Sequence, residues 1–172
     1  DATADFWAVE YRLNLLISEY PKPYVAFMDG LVLGGGVGIS AHGSVRIVTE
    51  STRMGMPETT IGFVPDVGGT LLLSRSPGET GTHAALTGAH LSGSDALFLG
   101  LADTFVPSGQ LAELAEALET EPVDAAVARF TEPAPPSVLA AQQEWIDACY
   151  STDDAEEIVD RLRTVGGEAV DA

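Results

Sequence analysis

Two carboxylates, Glu58 and Asp66, lie eight residues apart in a stretch punctuated by glycine and proline, Met56-Pro57-Glu58-Thr59-Thr60-Ile61-Gly62-Phe63-Val64-Pro65-Asp66-Val67-Gly68-Gly69. Their neighbours Met56, Ile61, Phe63 and Val64 are apolar. Apolar surroundings raise a carboxyl pKa, and so does a second carboxylate close by. A carboxyl tuned in this way serves as a general acid or base near neutral pH. The alternative is that both side chains only cap turns, and spacing alone leaves it open. A third acid, Glu10, sits at the edge of an apolar helical face, one turn from Phe6 and from Leu13. There it is either a solvated rim residue or a partly buried functional acid.

A second chemical feature is the run Gly34-Gly35-Gly36-Val37-Gly38. No Gly-Lys-Ser/Thr follows it, and no starting glycine satisfies G-x-G-x-x-G, because Ile39 falls at the sixth position from Gly34. Both nucleotide-binding readings are therefore excluded. What remains is a strand-to-helix turn at which backbone can approach a ligand closely. The helix start presents unpaired amides that can stabilise a developing oxyanion. A tight packing turn is the other reading of the same residues.

The elements that must position these groups are legible in outline. Phe6, Val9, Leu13, Leu16, Ile17 and Tyr20 recur at helical spacing and predict a helix over residues 5–20, stopped by Pro21 and Pro23. Short apolar runs at 24–28, 45–49 and 53–56 predict strands, and Leu31 leads through the glycines into a buried helix. Pro57 opens a short turn or helix at Glu58, and residues 61–69 form a loop. Beyond Gly69 the chain reads as mostly helical. Helices are expected from Leu71, over 79–86 ended by Gly88, and from a Ser94 cap to Leu99 with Gly100 after it. Others are expected over 110–118, 139–150 and 155–163. A short extended piece falls at 103–106, and the proline-rich stretch from Glu132 to Pro136 links helices. Alternating strands and helices make the fold class α/β.

Composition narrows the partners. The 172 residues carry 26 acidic against 8 basic side chains, a net charge of −18, and Lys22 is the sole lysine. Such a surface repels nucleic acid and anionic membrane. Arg46, Arg53 and Arg75 are expected to pair with the excess acid rather than with phosphates. Cys149, alone of its kind, excludes an internal disulfide or a cysteine-based zinc cluster and reads as a buried, inert thiol. His42, His83 and His90 lack spacing suited to a metal. Trp7 and Trp145 read as core or interface anchors. No signal peptide or membrane-length apolar run is visible, and the expected location is the cytoplasm.

Taken in order, Lys22-Pro23-Tyr24-Val25-Ala26, Gly30, the run from Gly34 to Gly38, Met56-Pro57-Glu58-Thr59, Pro65-Asp66-Val67-Gly68-Gly69, Ala85-Leu86-Thr87-Gly88 and Gly100-Leu101-Ala102 resemble the crotonase (enoyl-CoA hydratase/isomerase) superfamily. The pattern is most similar to its 3-hydroxyisobutyryl-CoA hydrolase branch. The resemblance implies repeated ββα turns wound into a superhelix and followed by C-terminal helices, usually assembled as trimers. It implies an acyl-CoA substrate and no cofactor beyond the coenzyme A that the substrate carries. Gly35 matches the glycine whose amide polarises the thioester carbonyl. Glu58 matches the glutamate that does the acid/base or nucleophilic work. Asp66 matches the aspartate of the hydrolase motif, and Glu10 a substrate-contacting glutamate.

The departures also matter. Hydratases usually carry a second glutamate where this chain has Gly38, and commonly glycine where it has Asp66. The resemblance therefore implies thioester hydrolysis, in valine catabolism, ahead of enoyl-CoA hydration or isomerisation. Family members have a long segment before the point where this chain starts and continue past its end, so an internal piece of a longer chain is expected. Residues 1–120 would form a partial core with the acyl-CoA site and 121–172 a helical C-terminal segment. A non-catalytic acyl-CoA-binding fragment is the rival of another class.

Overall fold

The computed structural model describes residues 2–165. Asp1 and the last seven residues of the expected C-terminal segment lie outside the described residues. The chain opens with helix α1 (Ala2–Ser18), which ends before Pro21 as expected. Three passes then cross between two small sheets. The first runs β1 (Val25–Met28), β2 (Leu31–Leu33) and α2 (Gly35–Ser40); the second runs β3 (Val45–Val48), β4 (Arg53–Gly55) and a 3₁₀ turn at Pro57–Ile61. After α3 (Gly69–Leu73) and α4 (Thr80–Thr87), the third pass runs β5 (Leu91–Ser92), α5 (Gly93–Phe98) and β6 (Thr104–Phe105). One sheet has the order β1-β3-β6, the other β2-β4-β5. β1 pairs in parallel with β3, Val25 opposite Val45, and β2 pairs in parallel with β4, Leu31 opposite Arg53. Each ββ step thus places one strand in each sheet, the winding that the resemblance implies, and strands alternate with helices as expected of the α/β class.

The remaining helices are α6 (Leu111–Leu118), α7 (Val123–Phe130), α8 (Val138–Tyr150) and α9 (Ala155–Val165). Leu139, Ile146, Cys149, Tyr150 and Ile158 from α8 and α9 enter the same core as Met28, Val48 and Met54 from the sheets. Burying such side chains contributes about 1.5–3 kcal/mol each, so the C-terminal helices are joined to the sheets by packing. A smaller cluster joins Ile47 and Val106 to Leu114, Ala117, Ala126 and Phe130 of α6 and α7. Cys149 is fully buried, in line with an inert thiol.

Four expectations change. The cap of α5 is Ser92, not Ser94: Ser92 Oγ accepts from the Asp95 backbone N–H at 3.2 Å, and Asp95 Oδ2 accepts from the Ser92 N–H at 3.0 Å. This reciprocal box needs the acid three residues after the cap, which Ser94 lacks. α7 and β5 were not anticipated. Lastly, the periodic apolar face of α1 is not a buried face. Phe6, Val9, Leu13, Leu16 and Tyr20 are exposed and only Ile17 of that set is buried, because α1 rests on α2 through the neighbouring stripe that carries Glu10, Asn14 and Ile17. No helix among the described residues is long and apolar enough to cross a membrane.

Candidate active site

The glycine run forms the turn between β2 and α2. Gly34 has φ +50° and ψ −113°, a conformation open to glycine and strained for other residues. Its N–H donates to the Gly55 carbonyl at 3.1 Å, which ties the turn to the end of β4. Val37 and Gly38 donate back to the Gly34 carbonyl. The amides of Gly35 and Gly36, first in the helix, have no acceptor within it.

Two carboxylates close on this turn from opposite elements. Glu58, on the 3₁₀ turn after β4, is 7% exposed. A Cβ on Gly34 would lie 3.0 Å from Glu58 Oε1, and one on Gly35 would lie 3.1 Å from Glu10 Oε1, reaching across from α1. A side chain at either position would press on a carboxylate oxygen, and at Gly34 the positive φ adds backbone strain. Glu58 Oε2 is buried and has no hydrogen-bond partner among the described residues. Burial pushes the Glu58 carboxyl above its ordinary pKa; a hydrogen bond from its own backbone N–H partly offsets this, and the charge of Asp66 adds to it.

Asp66 stands in the 62–68 loop and is half-buried. Its Oδ2 accepts from the Tyr11 hydroxyl at 3.0 Å, which links the loop to α1 one residue after Glu10. Tyr11 is held above its ordinary pKa by desolvation, then by this bond and the charges of Asp66 and Glu10, so it remains a donor. Val67, next to Asp66, has φ +45°, rare for a β-branched residue. His42 Nε2 meets the Val67 carbonyl at 2.7 Å, and the Val67 side chain covers Gly38. Trp7 of α1 stacks on Phe63 with ring centres 5.8 Å apart. Of the four residues singled out from sequence, Glu10 and Glu58 close on the turn that holds Gly35, and Asp66 joins them through Tyr11 and through its charge on Glu58. Glu58 is buried, but of the four apolar neighbours expected to shield it only Met56 is buried, while Ile61, Phe63 and Val64 are exposed; turn-capping alone does not account for its unpartnered oxygen.

Sequence reading missed three members of this cluster. Tyr11 was not singled out, and Val67 gave no sign of its backbone strain. Asn14 is 6% exposed on α1, and neither amide atom has a partner among the described residues. A Cβ on Gly38 would lie 2.9 Å from its Nδ2 and 2.6 Å from Val67 Cβ. Its spacing, four residues after Glu10 and three before the buried Ile17, was the available signal. Of the arginines expected to pair with acid, Arg46 does so, and Arg53 donates to backbone carbonyls instead. Arg46 grips Asp103 at 2.6 Å and donates to the Gly100 carbonyl, and Arg53 donates to the backbone of Glu50 and Thr52. Arg75 is exposed at the rim of a cavity of about 540 Å³ whose wall includes Tyr11, Asn14 and His42. His83 is buried between Trp145 and Tyr150, far along the chain from these carboxylates.

A two-sheet winding of ββα passes, with a glycine turn facing a buried glutamate, defines the crotonase class of fold. The chain belongs to the enoyl-CoA hydratase/isomerase family, whose sequence pattern matches residues 1–171. It is 41% identical to the mitochondrial 3-hydroxyisobutyryl-CoA hydrolase of Xenopus tropicalis over 173 residues, covering 94% of this chain and 45% of that protein. The crystal structure of a carnitinyl-CoA dehydratase from Mycobacterium thermoresistibile superposes with a TM-score of 0.93 at 54% identity, over 96% of this chain and 48% of that one. A 112-residue stretch is 48% identical to the small ribosomal subunit protein mS47 of Neurospora crassa, covering 65% of this chain and 22% of that protein. The chain spans less than half the length of each of these relatives.

Proposed function

We propose that this chain carries the catalytic carboxylates of an acyl-CoA thioester hydrolase whose substrate is 3-hydroxyisobutyryl-CoA, an acyl-CoA of valine catabolism. The observation that carries the reading is the state of Glu58: buried, without a partner at Oε2 among the described residues, raised in pKa and influenced by the charge of a second carboxylate, Asp66. A base near neutral pH needs this combination. Hydration across a double bond uses two carboxylates about one water. At position 38, where hydratases usually hold the second, the Cβ direction is filled by Val67 and Asn14.

In this mechanism the thioester carbonyl oxygen lies at the Gly35 amide. Glu58 takes a proton from water, and the water oxygen bonds to the carbonyl carbon while the carbonyl π pair moves to oxygen. That negative charge is held by the amide, a donor of a kind whose removal typically costs about 3 kcal/mol of barrier. Collapse breaks the C–S bond, and the thiolate leaves with the proton from Glu58. Direct attack by Glu58, giving an anhydride that water then opens, is the variant of the same reading. Asp66 and Glu10 orient the hydroxyacyl group and the water. Binding of acyl-CoA, a trimeric assembly and a cytoplasmic location belong to the same proposal.

The second reading, hydration or dehydration of an acyl-CoA, is favoured by the 54% identity to a dehydratase structure. The test is thiol release from 3-hydroxyisobutyryl-CoA by the full-length protein, run beside hydration of crotonyl-CoA. Thiol release that disappears in Glu58→Gln supports the hydrolase. Hydration without thiol release supports the second reading. Binding of both thioesters with no turnover would indicate a non-catalytic member.

A further inference from the structure

Asp66-Val67-Gly68-Gly69 is a tight turn closed by a hydrogen bond from the Gly69 N–H to the Asp66 carbonyl at 2.5 Å. Both central residues have positive φ, Val67 at +45° and Gly68 at +79°, the pattern of a type I′ turn. Glycine takes the second central place without strain. The first is usually asparagine, aspartate or glycine, and a β-branched side chain is strained there. Such a turn persists only where its surroundings over-determine it, and Asp66 is its first residue.

Those surroundings come from one element. α2 begins at the glycine turn, with Gly35 as its first residue, and runs to Ser40; His42 stands just beyond its end. Gly38, inside α2, leaves room for Val67: a Cβ on Gly38 would lie 2.6 Å from Val67 Cβ. The Val67 side chain is fully packed there. His42 Nε2 meets the Val67 carbonyl at 2.7 Å. A carbonyl only accepts, so Nε2 carries the hydrogen and donates. The same ring lies on Gly68, where a Cβ would come within 2.7 Å of His42 Cε1 and Nε2. The cavity wall beside His42 carries Arg46 and Arg75 and no carboxylate, so no acid there competes for the N–H. The side chain and carbonyl of the strained residue, and the face of the glycine after it, are thus held by α2 or by the residue just past it.

We propose that His42 is a positioning residue: through the Val67 carbonyl and the face of Gly68 it holds the 66–69 turn in the strained geometry that fixes where Asp66 stands relative to the Gly35 amide. This rests on the reading of the site in which Asp66 orients the substrate and the water. α2 then acts as a spacer, with the oxyanion donor at one end and the hold on the second carboxylate at the other. Without the His42 bond the turn relaxes toward the negative φ that valine prefers, and the Asp66 carboxylate moves off its place.

The experiment uses His42→Phe, which keeps a ring against Gly68 and removes the donor, and His42→Gln, whose side-chain amide restores one. Both are compared with wild type in the full-length protein. The readouts are kcat/KM for thiol release from 3-hydroxyisobutyryl-CoA, the Glu58 midpoint in a carbon-13 titration, and the thermal midpoint. His42→Phe should lose about ten- to a hundredfold in kcat/KM per folded molecule. Its Glu58 midpoint should fall toward the ordinary glutamate value, because the Asp66 charge that helps to raise it has moved away. His42→Gln should recover most of both. A merely structural role would lower the thermal midpoint and leave the rate per folded molecule and the Glu58 midpoint as in wild type; that result would overturn the proposal, and so would a His42→Gln as impaired as His42→Phe. If His42→Phe fails to fold, His42→Leu, which also lacks a donor, is read in its place. If wild type releases no thiol, the hydrolase reading has failed. The Glu58 midpoint, which needs no turnover, then still decides the role of His42.

Discussion

Glu58 and Asp95 are equally buried, each 7% exposed, and they titrate in opposite directions. Burial acts to raise both. At Asp95 it is outweighed by the Ser137 and Ser92 hydroxyls and the Leu139 and Ser92 amides, which bring the carboxyl below its ordinary range. Those bonds run from 2.7 to 3.0 Å and fasten α5 to the first turn of α8, whose cap is the same Ser137. Glu58 has no such set: among the described residues Oε2 is bare, and burial prevails. Burial alone therefore does not mark a functional acid. A buried carboxylate with every oxygen bonded is an architectural clamp, and one left unsatisfied beside a second carboxylate is held ready for chemistry.

The contrast is broken most sharply at Glu58. Glu58→Gln in the full-length protein should lower kcat/KM for thiol release by about 10²–10⁴-fold. Its urea midpoint should stay level or rise, because a poorly solvated charge is removed. A variant that is both inactive and markedly destabilised would make Glu58 a clamp like Asp95. The reciprocal change, Asp95→Asn, turns an amide NH₂ toward existing donors. It should cost about 2–3 kcal/mol in urea denaturation while activity per folded molecule is kept. Tyr11→Phe sharpens the comparison at the second carboxylate. Losing the bond to Asp66 should lower kcat about fivefold, near 1 kcal/mol, with little effect on stability because Tyr11 is exposed.

The smallest effect is in the pH dependence of stability. Folded Glu58 holds its proton more tightly than the unfolded chain does. Its contribution is present below the ordinary glutamate pKa and is lost as pH rises through the raised value. Asp95 behaves oppositely: its contribution is present above the ordinary aspartate pKa and is lost as pH falls through the lowered one. Denaturation curves taken across pH should lose the first dependence in Glu58→Gln and the second in Asp95→Asn.

The sequence showed the groups of the site better than their surroundings. β1 was legible as an apolar run between Pro23 and Gly30, and β3 as a run rich in β-branched residues after Gly43. β6 falls within the extended piece expected at 103–106, whereas β5, two residues long, is too short to leave a pattern. α7 is only eight residues long, set between Pro122 and the proline-rich stretch at 132–136, and such a short segment was not separated from its flanking loops. Glu10, Gly35, Glu58 and Asp66 were legible through motif order, while the meeting of Glu58 with the glycine turn depends on the pairing of β2 with β4, which brings Gly55 and Glu58 beside Gly34. The apolar face of α1 misled because periodicity reports which residues could be buried, and not what covers them. Asn14 escaped notice because an isolated polar residue in an apolar helix reads as solvent-facing. The clamp at Asp95 was hidden because its partners Ser137 and Leu139 lie more than forty positions away.

The most direct measurement is a carbon-13 titration of side-chain carboxyls in the full-length protein, with Glu58 and Asp95 assigned by the loss of each signal in Glu58→Gln and Asp95→Asn. The account predicts a Glu58 midpoint above the ordinary glutamate value and an Asp95 midpoint below the ordinary aspartate value. A Glu58 that ionises at or below the ordinary value would contradict it, since no poised base would then stand at the glycine turn.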